Sequence, residues 1–178
     1  MNTNSVTALC LSETSKNPVE ILLNLAKSLD MPVHSPAHHI LVGSALLTAY
    51  KNAGGKIDLE KTLDELKTRA EQVPGGACGY WGACGAGISS GMFVSIVTGS
   101  NPLKNEEWKL SNLMTATSLG AIGEVGGPRC CKRNSYMAIT EAVKFAKKNL
   151  GVEMELEKIK CTHFAENNHC IGARCPFR

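Results

Sequence analysis

Aromatic residues are scarce in this sequence and make up 5% of its 178 residues. The formal net charge at pH 7 is only +3, and the lysines are spread over several segments instead of forming one basic patch. Nucleic-acid-binding proteins usually combine a strongly basic surface with interleaved aromatic side chains. The composition therefore predicts that nucleic acid is not a partner of this chain.

Long apolar runs are missing as well. No segment reaches the roughly 20 apolar residues that a membrane-spanning helix needs, and the polar start with its short apolar run at residues 6–11 does not resemble a signal peptide. We therefore expect no membrane partner and a cytoplasmic location. In that compartment, eight cysteines favour metal or redox chemistry over a disulfide framework. Cys10 alone fits equally well as a small core residue.

The chain also lacks a linker, an internal repeat and a low-complexity tract, so we expect a single domain over residues 1–178. Apolar residues recur at helical spacing in most segments, which predicts a mainly α helical bundle with glycine- and cysteine-rich loops and at most one short strand pair. Residues 1–16 carry no clear signal and could be flexible, with a short edge strand at 6–11 as an alternative. The alternation over 152–156 predicts a short strand or an extended segment.

Two local signals bear on the packing of the helices. Asn17 before Pro18 predicts a capped helix start. Segment 86–98 predicts a helix, although its β-forming residues leave a buried strand over 92–98 as the alternative. Gly87 and Gly91 stand four residues apart on this helix and would let another backbone approach closely, either within the core or in a homodimer.

Seven of the eight cysteines fall into three groups, each at or near a predicted helix end, where unpaired backbone N–H groups favour the negative charge of thiolates. The groups lie in the glycine-rich loop 74–87, in an adjacent pair after Gly126-Gly127-Pro128, and in the tail 161–178. The predicted metal ligands are Cys78, Cys84, Cys130, Cys131, Cys161, Cys170 and Cys175. The glycines that would leave room for a cofactor and offer it N–H groups are Gly76, Gly79, Gly82, Gly85 and Gly127.

The spacings between the cysteines indicate which kind of metal site they could form. The sequence shows C-x5-C, CC, C-x8-C and C-x4-C but no pair of CxxC knuckles, which are typical of structural zinc sites. Iron–sulfur clusters accept more scattered ligands and can leave one iron open. We therefore favour an iron–sulfur cluster, as [4Fe–4S], with zinc as the alternative. The tail, which also holds His163 and His169, could form a zinc site of its own, or its cysteines could complete the main site. Tyr80 and Trp81 would wall the site or anchor its loop.

Charged and titratable residues suggest a reaction. Arg129, Lys132 and Arg133 flank the cysteine pair and could hold a small anionic substrate, lower the pKa of the thiols for redox chemistry, or cap neighbouring helices. His38 and His39 begin the most apolar helix. Adjacent helical positions point about 100° apart, so one histidine should face inward as a general acid or base or as a hydrogen-bonded core residue.

Three stretches, PGGACGYWGACGAGISSG, GGPRCCKRNS and NNHCIGARCPF, resemble an uncharacterised cysteine-rich domain family of anaerobic bacteria and archaea, found alone or fused to methyltransferase-like proteins. The resemblance covers about residues 38–177. It implies a place in anaerobic metabolism and a methyltransferase or redox partner protein. The chain itself lacks a Rossmann-type glycine loop after a strand, so we do not predict that it is a methyltransferase.

A fainter likeness concerns the chemistry. A glycine-rich, cysteine-bearing helix start, followed later by a cysteine and Arg133-Asn134, is similar to the all-helical iron–sulfur domain of bacterial serine dehydratases and cysteine desulfidases. This likeness implies that Cys84 and one or both of Cys130 and Cys131 are ligands, with Arg133-Asn134 close to the substrate. The extra cysteines depart from that family's pattern. We expect a non-redox lyase or sulfur-handling enzyme, with a zinc-stabilised accessory domain and a Cys130/Cys131 thiol-redox protein as alternatives.

Overall fold

The computed structural model describes residues 3–178 and, within this range, forms eight α-helices and no strand. The predicted mainly α bundle is confirmed. The helices are α1 (Thr3–Ser12), α2 (Pro18–Ser28), α3 (His38–Asn52), α4 (Leu59–Ala70), α5 (Ala77–Tyr80), α6 (Gly85–Thr98), α7 (Glu106–Val125) and α8 (Cys131–Asn149), followed by a short 3-10 helix at Gly172–Arg174.

Helix α3 lies at the centre because it is apolar on nearly every side. It packs against α1, α2, α4, α6 and α8. Leu41, Leu46 and Leu47 on α3 are completely buried, as are Phe93 on α6 and Ile139 on α8. A helix that is hydrophobic all round belongs in the interior. The core thereby fixes the starts of α3, α6 and α8 relative to one another.

Helix α6 is formed as predicted, and the strand alternative is wrong. Two glycines let α7 come close to it: a methyl group on Gly87 would lie 2.7 Å from Leu119 Cδ2, and one on Gly91 would lie 1.8 Å from Thr115 Oγ1. The hydroxyls of Ser90 and Ser118 are 2.8 Å apart across the same interface. The two glycines thus allow close helix packing within the core, which is one of the two predicted alternatives.

The N-terminal segment differs from one prediction and agrees with another. The edge strand proposed for residues 6–11 is wrong, because α1 is helical and buries Val6 and Cys10, four residues apart, on one face. The part of the predicted flexible segment at residues 1–2 lies outside the described residues. Asn17 caps α2 as predicted: its side chain accepts hydrogen bonds from the N–H groups of Val19 at 3.0 Å and Glu20 at 3.4 Å.

After α8 the chain is extended without pairing into a sheet. The predicted alternation is present, since Met154 is buried and Val152 and Leu156 pack against the core. The backbone N–H of Glu155 donates to the carbonyl of Lys16 at 3.0 Å. The extended alternative is therefore correct and the strand is not. In the tail 161–178, Asn167 is the one residue of this described segment that is buried.

Candidate functional site

The structure distributes six of the seven predicted cysteines between two neighbouring places near the N-terminal end of α8. We call the first the open cleft. It has a volume of about 320 Å³ between the loop at 78–84, the end of α7 and the start of α8. We call the second the tail pocket, which encloses about 20 Å³ between α8 and the tail. The open cleft holds Cys78, Cys84, Arg129, Arg133 and Asn134. The tail pocket holds Cys130, Cys161, Cys170, Cys175, Lys132 and His163.

Cys84 is held at the beginning of α6. Its backbone is extended, it is the N-cap of the helix, and its Sγ accepts a hydrogen bond from Asn134 Nδ2 at 3.3 Å. The positive end of the α6 dipole and this N–H group would both stabilise negative charge on the sulfur of a metal-bound Cys84. Gly85 follows directly and has the ring of His39 packed on it, so that a methyl group there would lie 2.1 Å from His39 Cδ2.

Arg133 fixes the opposite wall of the open cleft. Its guanidinium is buried, and Nη2 donates to the carbonyls of Gly126 at 2.7 Å and Pro128 at 3.0 Å, just beyond the end of α7. Nε donates to Asn134 Oδ1 at 3.4 Å, which orients the amide that meets Cys84. Arg133 therefore acts as a helix-end clamp, as the capping alternative described. Arg129 lies exposed on the same lining.

Cys130 begins α8 and faces the tail pocket. Its Sγ accepts hydrogen bonds from the backbone N–H of Arg133 and from Asn167 Nδ2, each at 3.4 Å. Asn167 Oδ1 in turn accepts from the backbone N–H of His169 at 2.9 Å and lies 3.1 Å from His34 Nε2. The buried amide of Asn167 thus ties the tail to Cys130.

The end of the chain closes over the tail pocket. The backbone N–H of Cys161 donates to the carbonyl of Phe177 at 2.7 Å, and the Phe177 ring meets Tyr136 edge-on at 5.4 Å. Burial raises the pKa of the Cys161 thiol, and negative charge on Cys130 and Cys175 acts in the same direction, against a backbone hydrogen bond at His163. The tail thiols and Cys130 therefore lie close enough to repel one another when ionised.

Cys131 lies between the two places. Burial raises the pKa of its thiol, charge on Cys84 and Cys130 adds to this rise, and a backbone hydrogen bond with Ser35 and the charge of Arg129 oppose it. A buried thiol with a raised pKa is a weaker nucleophile than a redox-active cysteine needs to be. The adjacent pair is split accordingly, with Cys130 facing the tail pocket and Cys131 close to Cys84.

Lys132 and the two histidines do not line the open cleft. Lys132 is 2% exposed and lines the tail pocket, where burial lowers its pKa against the opposing charges of Glu166 and Cys161. His38 is 1% exposed, and its Nδ1 is 3.1 Å from the carbonyl oxygen of Ser35. Burial first, and then the charge of Lys132, lower the pKa of His38 to about 4, so it is neutral at neutral pH.

Several sequence-based assignments change with this geometry. Tyr80 is 90% exposed and Trp81 67% exposed, so they neither wall the site nor anchor the loop on the core. Of the predicted cofactor glycines, Gly79, Gly82 and Gly127 line the open cleft. Gly76 instead caps α5 with a φ of 88°, and Gly85 lies under His39.

Asn167 was missed by sequence reasoning because a single asparagine in a polar tail carries no pattern. The stretch that contains it, NNHCIGARCPF, was the available signal. In residues 3–178, no group of three or more His, Cys, Asp or Glu side chains is already placed to hold a metal ion. Within the same range, no helix is both long and apolar enough to cross a membrane.

The comparisons with known proteins add one match. No curated protein and no solved structure matches this chain. The sequence model of a family of unknown function, DUF5714, matches residues 6–178. The match covers all of the helices from within α1 onward and both cysteine sites. The chain therefore belongs to DUF5714, a family of unknown function.

Proposed function

We propose that this chain binds an iron–sulfur cluster at the open cleft and acts there on a small anionic substrate. One observation carries the proposal. The fold brings Cys78 and Cys84, from a glycine-rich loop, to the same cleft as Arg129, Arg133 and Asn134, from the start of α8. A volume of about 320 Å³ is in the range of small-molecule sites. Cys131 does not line the cleft, but it is close enough to Cys84 for their charges to interact, so we take it as the third thiol ligand.

The residues present fit a cluster in three respects. Thiolates are its usual ligands, and three of them leave one iron without a protein ligand. Asn134 Nδ2 already donates to Cys84 Sγ, and hydrogen bonds of this kind orient a metal ligand and adjust the properties of the bound metal. Gly79 and Gly82 line the cleft with no side chain, and a methyl group on either would meet nothing within 4 Å, so the loop leaves room for a bound group.

The chain's own residues divide the remaining work. A bound cluster with an open iron would supply a Lewis acid for a hydroxyl, thiol or carboxylate. Arg129 binds the anionic group of the substrate, because its guanidinium lies exposed on the cleft lining while Arg133 is already bonded to two carbonyls. His39 is the proposed proton carrier: it does not line the cleft, but its ring packs on Gly85, the residue that follows Cys84. Burial lowers its pKa, which keeps the ring neutral and able to accept a proton.

Further parts of the proposal rest on the resemblances. The likeness to the serine dehydratase and cysteine desulfidase iron–sulfur domain supports a lyase or sulfur-handling reaction, and the likeness to methyltransferase-fused domains supports a methyltransferase or redox partner in anaerobic metabolism. All eight cysteines are free thiols, which fits a reducing compartment and supports a cytoplasmic location. The raised pKa of Cys131 does not favour the thiol-redox alternative.

The test compares cysteine variants after anaerobic reconstitution of the full chain with iron and sulfide. Cys84→Ser and Cys78→Ser should lose most of the bound iron, sulfide and visible absorbance, whereas Cys10→Ala, at a core position that lines neither site, should keep them. In the loaded wild type, small carboxylates and phosphates should shift the cluster spectrum, and Arg129→Gln should abolish the shift. Equal iron in Cys84→Ser and wild type would show that the cleft does not hold the cluster.

A further inference from the structure

The tail pocket is a second thiol site, separate from the open cleft, and its four cysteines come from three parts of the chain. Cys130 is the N-cap of α8, Cys161 follows the extended segment, and Cys170 and Cys175 flank the short 3-10 helix. All four line one small space of about 20 Å³. A space of this size holds about one water-sized particle, which suits a single ion.

The tail lacks the usual means of staying folded. Residues 161–178 contain three residues of 3-10 helix, and among these described residues one side chain, Asn167, is buried. Short segments that bury little apolar surface are commonly held by a metal ion or by disulfides. All of the cysteines here are free thiols. Four thiols at the place where such a segment meets α8 are the expected position for a metal ion.

The surroundings favour thiolates bound to a cation of the zinc class. The backbone N–H of Arg133 and the amide of Asn167 both donate to Cys130 Sγ, in the manner of groups that orient metal ligands. Four thiolates around a divalent ion leave net negative charge, and Lys132, 2% exposed on the same lining, offsets it. Structural zinc sites are four-coordinate and closed, with Cys₄ as a common ligand set.

We propose that Cys130, Cys161, Cys170 and Cys175 bind one zinc-class divalent ion that fastens the tail to the start of α8. This site goes beyond the iron–sulfur proposal and uses none of its three thiols. His169 and His163, which the sequence suggested as ligands, are not needed, although His163 lines the pocket. Because the side chains are not yet placed to hold an ion, binding requires the thiols to turn inward. Metal binding and ordering of the tail are therefore coupled.

The test is a titration of the reduced, metal-stripped full chain with Co²⁺ alone, followed by displacement with Zn²⁺. The wild type should bind one ion per chain with the sulfur charge-transfer and ligand-field bands of tetrahedral Co²⁺–thiolate. Cys161→Ser and Cys175→Ser should weaken binding by more than the roughly 10- to 100-fold that the loss of an outer partner costs. Asn167→Leu, which removes such an outer partner, should fall within that range. Cys78→Ser and Cys84→Ser are the matched controls and should bind like wild type.

Four results would overturn the site. The first two are a wild-type protein that shows no Co²⁺–thiolate bands and tail serine variants that bind Co²⁺ as tightly as wild type. The other two are a Cys84→Ser control that loses Co²⁺ as much as the tail variants do, and reconstituted iron whose binding depends on Cys161 but not on Cys84. If the tail variants do not fold, limited proteolysis of the wild type decides. Zn²⁺ should protect the tail from trypsin at Lys160 and Arg174, and equal cleavage with and without Zn²⁺ would refute the site. If the protein bound zinc but no iron, the iron–sulfur proposal would be wrong and the proposal of a zinc site in the tail pocket would still hold.

Discussion

The contact between Gly85 and His39, at the start of α6 beside the open cleft, is the packing feature that a single added methyl group tests most sharply. In Gly85→Ala the added Cβ would lie 2.1 Å from Cδ2, 2.2 Å from Nε2 and 2.5 Å from Cγ of the His39 ring. Ordinary contacts of this kind are 3.4 Å or longer, so the ring must move by more than 1 Å. Overpacking of this sort costs about 1–3 kcal/mol.

Alanine also brings a gain, because it has a higher helix propensity than glycine by up to ~1 kcal/mol within a helix. Gly85 is the first residue of α6, where this gain is smaller. We therefore expect Gly85→Ala to lower the free energy of unfolding by about 1–2 kcal/mol. In Gly85→Ala/His39→Ala the clash is gone, so the double-mutant cycle should show a coupling energy of about 1 kcal/mol or more.

The assay is urea unfolding of the full chain under anaerobic, reducing conditions, followed by far-UV circular dichroism. The midpoint should fall while the m-value stays constant. Gly120→Ala is the matched control, since a methyl group at this α7 position meets nothing within 4 Å and should leave the protein as stable or more stable. A Gly85→Ala protein as stable as wild type, with additive single effects, would refute the packing described for the start of α6.

Three further predictions concern single residues. Because the pKa of His38 is lowered to about 4 in the folded state and is about 6.5 in the unfolded state, stability should fall as the pH is lowered from 6.5 to 4, by about 3 kcal/mol. His38→Asn, which does not titrate, should flatten this part of the stability profile, and an unchanged profile would contradict the assignment. Asn17→Ala should cost about 1 kcal/mol in urea unfolding because two N–H groups of α2 lose their acceptor, while Asn17→Asp should cost little; equal stability of both variants would contradict the cap. A lysine in Arg133→Lys lacks the planar guanidinium and cannot donate to both the Gly126 and Pro128 carbonyls in this geometry, so amide hydrogen exchange in the loop after α7 should become faster. Unchanged exchange would show that these two hydrogen bonds are dispensable for the loop.

The helices were predictable because their signals are local. Asn17 caps α2 through two consecutive N–H groups, and Gly126 follows the last residue of α7, as the sequence indicated. The edge strand at 6–11 failed because six residues are too few to distinguish a helical stripe from alternation. Only the packing of Val6 and Cys10 on one face decides between them.

The grouping of the site residues was less predictable because it depends on which way each side chain turns at the start of α8. Cys130 and Cys131 are adjacent in sequence, yet one meets Asn167 in the tail and the other is close to Cys84. Sequence spacing cannot separate such a pair. Nor can it show that Lys132 turns away from the cleft, where the sequence suggested an anion contact, and into the tail pocket.

Iron and acid-labile sulfide in the anaerobically purified wild-type chain test the central claim most directly. We expect a coloured protein that contains both elements as purified or after reconstitution, whatever its zinc content. A colourless protein with neither iron nor sulfide, even after reconstitution, would contradict it.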